Sequence, residues 1–166
     1  MYIIQHPYND TVICMPDSPK KGRIHVDEIG HNSPPPGYTP IKKKRDCYII
    51  HYLISGKGNY YGKTIEGPCV FLLTPDEPHF YTVDSSPDAP PWKQYWIIIS
   101  GEGTKELLED AGISGFPFCV PYSHIHESIE ILQNLQTDSS YLNKNEHYHM
   151  MSGLYSLLAL YARPAP

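Results

Sequence analysis

The chain has 166 residues, 40% hydrophobic and 19% charged, the make-up of one globular domain rather than a disordered tail. A formal net charge of −5 argues against a surface built to neutralise phosphates. No stretch approaches the roughly 20 apolar residues of a membrane span, and the opening MYIIQHPYND lacks the basic and apolar regions of a secretory signal.

Four cysteines (Cys14, Cys47, Cys69, Cys119) without a C-x-x-C pair read as reduced thiols of a cytoplasmic protein. Seventeen prolines and 12 glycines favour many short strands over long helices, and 14 tyrosines suit a polar-lined cavity. In chain order, Met1 to about Gly22 reads as an N-terminal arm, and Ile24–Ile29 alternates loosely up to Gly30. The stretch HNSPPPGY (His31–Tyr38) is a proline-locked loop. Cys47–Ile54 is a rich β run stopped by Ser55-Gly56-Lys57-Gly58. Asn59–Tyr61 begins another strand, and Gly62-Lys63 suits a two-residue hairpin turn. Val70–Leu73, Phe80–Val83 and Trp92–Ser100 follow, with a Pro/Asp/Ser loop at Asp84–Pro91. About seven or eight short strands at regular spacing predict an antiparallel barrel or sandwich.

Beyond Gly101 the period turns helical. Lys105–Ala111 is a short helix closed by Gly112, and Phe116–Val120 one more strand. Ser123 is placed to cap a helix with Ile125, Ile129, Leu132 and Leu135 on one face. Asn145 is placed to cap a second, with Met151, Leu154, Leu158 and Tyr161 at heptad spacing and Met150 and Leu157 widening the stripe. Two readings of that stripe stand: it serves a second subunit as well as the barrel, or it packs wholly within the chain. The expected division is arm and barrel over residues 1–122 and a helical dimerisation segment over 123–166.

Nine histidines raise the question of a metal. The pairs His124/His126 and His147/His149 lie in helical segments, where i and i+2 diverge, and His25, His51 and His79 stand singly on strands. No metal, cofactor or catalytic residue is expected. The chemistry favoured instead is recognition. Period two puts Arg45, Cys47, Ile49, His51 and Leu53 on one face, with Arg45 near the barrel mouth, where its guanidinium can grip vicinal hydroxyls or a carboxylate. His79 and Tyr81 share a face, as do Trp92, Gln94, Trp96 and Ile98. An indole for the apolar face of a sugar, with Tyr, Gln, His and Arg for its edge, suits a polyol; the competing reading makes Trp96 core and Tyr81 a satisfied rim residue.

Three segments, Arg45-Asp-Cys-Tyr-Ile-Ile-His51-Tyr-Leu-Ile-Ser55-Gly-Lys-Gly58, Phe71-Leu-Leu-Thr-Pro75-Asp-Glu-Pro-His79-Phe-Tyr81 and Pro91-Trp92-Lys-Gln-Tyr-Trp96-Ile-Ile-Ile-Ser-Gly101, resemble the N-terminal effector-binding domain of AraC-family transcriptional regulators. The resemblance runs from about residue 20 to 162. It implies a cupin-like jelly-roll barrel followed by helices that pair in a homodimer, holding a small effector, often a sugar, and no catalytic metal. Trp96 falls where the arabinose-responsive member stacks its indole on the sugar, and Tyr81 at a pocket tyrosine. Gln94 stands where that member has a pocket histidine, so arabinose specificity does not transfer, and Arg45 matches by order only. Gly67-Pro68-Cys69 replaces the family's Gly-Asp before the Phe71 strand. Family members carry about a hundred further residues with two helix-turn-helix units. Operator DNA and RNA polymerase are therefore expected as partners only of the full-length regulator, with no membrane partner. A free-standing cupin binding protein or a metal-dependent cupin enzyme is the alternative.

Overall fold

A computed structural model describes residues 2–6, 10–14, 23–137 and 146–164, the first two segments as backbone alone. The fold is mainly β with helices gathered towards the C-terminus. Ten strands are described: β1 Tyr2–His6, β2 Asp10–Cys14, β3 His25–Asn32, β4 Tyr48–Ser55, β5 Lys57–Tyr60, β6 Lys63–Glu66, β7 Cys69–Leu73, β8 Thr82–Val83, β9 Lys93–Ser100 and β10 Phe118–Pro121. The helices are α1 Thr104–Asp110, α2 Ile125–Thr137 and α3 Glu146–Tyr161. One sheet has the order β1-β2-β3-β9-β4-β7-β10 and the other β6-β5-β8.

The long central strands are those richest in β-branched and aromatic residues, YIIHYLIS in β4 and KQYWIIIS in β9, because such side chains fit a pleated surface buried on both sides. Both faces are indeed covered. Ile50, Tyr52, Val70, Leu72, Ile97 and Ile99 join α2 and α3 in one core. Their alternate neighbours Ile49, Leu53, Phe71, Leu73 and Ile98 fill a second core with Tyr60, Ile65, Tyr81, Val83 and Trp92 of the smaller sheet and its flanks. The interior of the barrel is thus one face of the large sheet, and the helices cover the other.

Several expected boundaries move. Gly56, at φ +111°, is the whole interruption between β4 and β5, and Lys57 and Gly58 already belong to β5. The hairpin turn is Tyr61-Gly62, one residue earlier than expected: both have positive φ (46° and 79°), as a type I′ turn requires, and Asn59 Oδ1 accepts from the Gly62 amide at 2.9 Å. The expected Phe80–Val83 strand shortens to β8, and the residue before it, His79, is engaged in an isolated bridge to Lys43. The expected Phe116–Val120 strand is β10, starting after Pro117. Within the region read as an arm, β1 and β2 add a hairpin to the edge of β3.

Helix α2 begins at Ile125, so His124 rather than Ser123 precedes its first residue, and the His124 carbonyl accepts from Ser128 N. Its buried residues include the predicted Ile125, Ile129, Leu132 and Leu135. Asn145 lies outside the described residues. In α3, Leu154 and Leu158 are buried in the core with Met150 and Leu157, while Met151 and Tyr161 pack partly buried at its edge. No helix among the described residues is long and apolar enough to cross a membrane.

Candidate ligand-binding site

Strands β3, β4 and β9 lie side by side, with His51 opposite Trp96, Trp96 opposite Gly30, and Gln94 opposite Asn32. This register sets His51, Gln94 and Trp96 on the barrel's interior face, as period two demands. Tyr81, just before β8, reaches the same interior from the facing side.

Gln94, 1% exposed, is the hub. Its Nε2 donates to Asn32 Oδ1 at 2.8 Å and to Tyr81 Oη at 2.6 Å. With both amide hydrogens committed, its Oε1 must accept, and it does so from His51 Nδ1 at 3.1 Å. That fixes the His51 tautomer, with hydrogen on Nδ1 and a bare lone pair on Nε2. Burial pushes the His51 pKa down to about 3, opposed by the Gln94 hydrogen bond and assisted by electrostatic coupling to His79 and to the Arg45 cation. The imidazole is therefore neutral across the physiological range.

Aromatic rings fix the remaining walls. Phe71 stacks on His51 with centroids 4.5 Å apart, and Tyr81 meets the same imidazole at 5.4 Å in an edge-to-face contact. Trp92 lies parallel to Tyr81 at 5.5 Å. Trp96 is only partly buried, and its Nε1 donates to Glu28 Oε1 at 2.8 Å.

Trp96, Tyr81, Gln94 and His51 are thus brought together. His79 is buried beside them but turned to its own loop, with Nε2 against the Thr74 carbonyl at 3.0 Å and its backbone amide bonded to Lys43 O. Its pKa is lowered, chiefly by burial. Arg45 is exposed in the loop before β4, which starts three residues later, so the alternating face of that strand does not extend to it. Sequence reasoning missed Glu28, Asn32 and Phe71. Glu28 and Asn32 share a face of β3 with Gly30 between them, but only the β3–β9 register shows that they lie beside Trp96 and Gln94.

Among the described residues no group of three His, Cys, Asp or Glu side chains converges as a metal site would require. A cleft of about 410 Å³ lined by His25, Asp46, Cys47, Ser100 and Glu102, among others, is separate from the ring cluster and shares none of its residues.

The AraC-like ligand binding domain family matches residues 25–163. The chain belongs to that family. Its relatives include the Msm operon regulatory protein of Streptococcus mutans, 29% identical over 145 residues, covering 82% of this chain and 49% of the relative. The raffinose operon transcriptional regulatory protein RafR of Pediococcus pentosaceus is 35% identical over 71 residues, covering 39% of this chain and 24% of the relative. The chain therefore spans about half or less of the curated relatives it matches. The AraC-like transcriptional activator CuxR shares the fold, with a TM-score of 0.51 at 12% identity, over 95% of this chain and 63% of that one.

Proposed function

We propose that the chain is the ligand-sensing and dimerisation unit of a bacterial, cytoplasmic AraC-type regulator, and that its barrel interior binds a sugar or a related polar small molecule. The observation that carries this reading is the Gln94-centred network beside Trp96. It offers fixed hydrogen-bonding groups next to aromatic faces, the combination that recognises a polyol. The Pediococcus relative is a raffinose operon regulator, which supports a saccharide.

The site is read as one for binding and release rather than catalysis, with Trp96, Tyr81, Gln94 and His51 as the contacts and His79 and Arg45 at its margin. Operator DNA and RNA polymerase would be engaged by other parts of the whole regulator. Two copies would pair along α3. Because Leu154 and Leu158 are committed to the chain's own core, a partner would meet Tyr148, Met151 and Tyr155 on the outer face, with Tyr161 at its end.

Calorimetric titration with a panel of mono- and oligosaccharides, raffinose included, tests the reading. Saturable binding by the wild type, weakened about 10- to 100-fold or more in Trp96→Ala, is the expected result, since losing a stacked indole removes roughly 1.5–3 kcal/mol of burial. Binding unchanged in Trp96→Ala would overturn the site.

A further inference from the structure

Among the described residues, the ring cluster of the barrel interior holds two buried polar atoms without a hydrogen-bond partner, His51 Nε2 and Trp92 Nε1. Their residues are 5% and 2% exposed, and Tyr81 bridges them, in contact with the imidazole at 5.4 Å and the indole at 5.5 Å. Their hydrogen-bonding senses are opposite. Indole Nε1–H can only donate, and His51 Nε2, by the tautomer that Gln94 imposes, can only accept. Unpaired buried groups of this kind are rare, because each forfeits a bond it would make in water.

Resting on the sugar-sensing reading above, we infer that the effector is an uncharged polyhydroxyl compound, that one of its hydroxyls donates to His51 Nε2, and that phosphorylated and acidic sugars are rejected. A hydroxyl donates and accepts, so the hydroxyls of a polyol suit either orphan. A carboxylate or phosphate oxygen can satisfy only the indole; against the His51 lone pair it sets acceptor against acceptor. Accommodating an anion there would require the imidazolium, which burial strongly disfavours. Of the neighbouring charges, the Glu28 carboxylate beside Trp96 repels anions, and the Arg45 cation, although felt at His51, stands exposed, where water screens it.

The test uses the intact chain with raffinose, melibiose, galactose and glucose as uncharged probes, and galactose 6-phosphate, glucose 6-phosphate and glucuronate as charged counterparts. His51→Asn keeps a donor near the Nδ1 position for Gln94 and deletes the Nε2 acceptor; circular dichroism verifies its fold. The tightest uncharged probe should bind His51→Asn about 10- to 100-fold more weakly than the wild type, the consequence of leaving one buried partner unpaired. In the wild type, which needs no folded variant, each charged probe should bind at least about tenfold more weakly than its uncharged parent. Equal affinity of a folded His51→Asn, or of a charged probe, overturns this assignment while leaving the sensing reading intact. Absence of binding by all the uncharged probes overturns the sensing reading and the assignment with it.

Discussion

Gly30 sits directly beneath the Trp96 indole, and replacing it with alanine isolates what that indole does. A Cβ built there falls 2.1 Å from Trp96 Cζ2, 2.4 Å from Cε2 and 2.8 Å from Cη2. Carbon atoms pack at about 3.5–4.0 Å, so the ring must retreat by roughly 1.5 Å, because the added methyl is fixed to the strand backbone. Gly30 has no positive φ, so the backbone itself accepts alanine. In an extended strand the change gains about 0.5–1 kcal/mol from reduced unfolded-chain entropy. Against this, the retreating indole gives up its bond to Glu28, worth about 1.5–3 kcal/mol for a charged partner and less at this partly exposed site.

The net cost is about 1 kcal/mol, a fall of about 2–4 °C in thermal midpoint for a domain of this size, while sugar binding should weaken by at least tenfold. A double-mutant cycle separates the causes: in a Trp96→Ala background the clash is gone, and Gly30→Ala should be neutral or stabilising. Scanning calorimetry on the four proteins measures this without any ligand. An equal cost of Gly30→Ala in both backgrounds would refute the steric account.

Stability should fall with acid in a way traceable to His51. Its folded pKa of about 3 lies below the ordinary value of 6.5, so between those limits the unfolded chain binds the proton and the native chain does not. Its contribution is complete above about pH 6.5 and shrinks by up to ~1.4 kcal/mol per pH unit below it; His79, shifted the same way, adds to the slope. Thermal midpoints at pH 7 and pH 5 should therefore differ less in His51→Asn than in the wild type, and an identical difference would contradict the burial argument. Gly153→Ala should destabilise despite a helix-propensity gain of about 1 kcal/mol, because its Cβ would lie 2.4 Å from Leu135 Cδ1 and force α2 from α3; a raised midpoint would show that Leu135 repacks freely. Tyr148→Glu with Tyr155→Glu, at positions 66% and 53% exposed, should leave the fold intact and give monomers in sedimentation, whereas unchanged dimers would place the interface elsewhere.

The sequence made the fold class readable where a single rule dominated. The β-branched runs of β4 and β9 could only be buried strands, and the Ile125–Leu135 stripe could only be one helix face. It failed where two residues had to cooperate. The type I′ turn uses Tyr61, with φ 46°, at a position where local preference favours Asn or Gly, so the expected hairpin slid to Gly62-Lys63. Strand β6 has one buried apolar residue, Ile65, too little to show a period. At the site, alternation set His51 on one inward face, Tyr81 on a second, and Gln94 with Trp96 on a third, without joining them. Glu28 and Asn32 needed the β3–β9 register, which no local pattern contains. The α3 heptad was legible as a stripe but not as to its partner: Leu154 and Leu158 join α2 in covering the sheet's outer surface, with Ile50, Val70 and Ile97.

The same alternation that builds the site ties it to the helices. His51 and Gln94 face the interior, and their neighbours Tyr52 and Tyr95 face out. Tyr95 stacks on His31 at 4.8 Å and accepts from Gln133 Nε2 of α2 at 3.1 Å, while His31 Nδ1 bonds Gln136 Oε1 at 3.2 Å. Tyr52 meets Tyr122, whose hydroxyl bonds Ser128 of α2 at 2.9 Å and whose ring stacks on Tyr161 of α3 at 6.0 Å. At the start of α2, His124 Nε2 donates to the Pro164 carbonyl at 3.2 Å, just past the end of α3. A close-packed layer of this kind is stiff, so a change in the spacing of β3, β4 and β9 cannot be absorbed before it reaches α2. Stiffness alone moves nothing, however. A ligand biases the helical side only by binding one sheet spacing more tightly than another, and tight but equal binding to both would leave α2 and α3 where they stand.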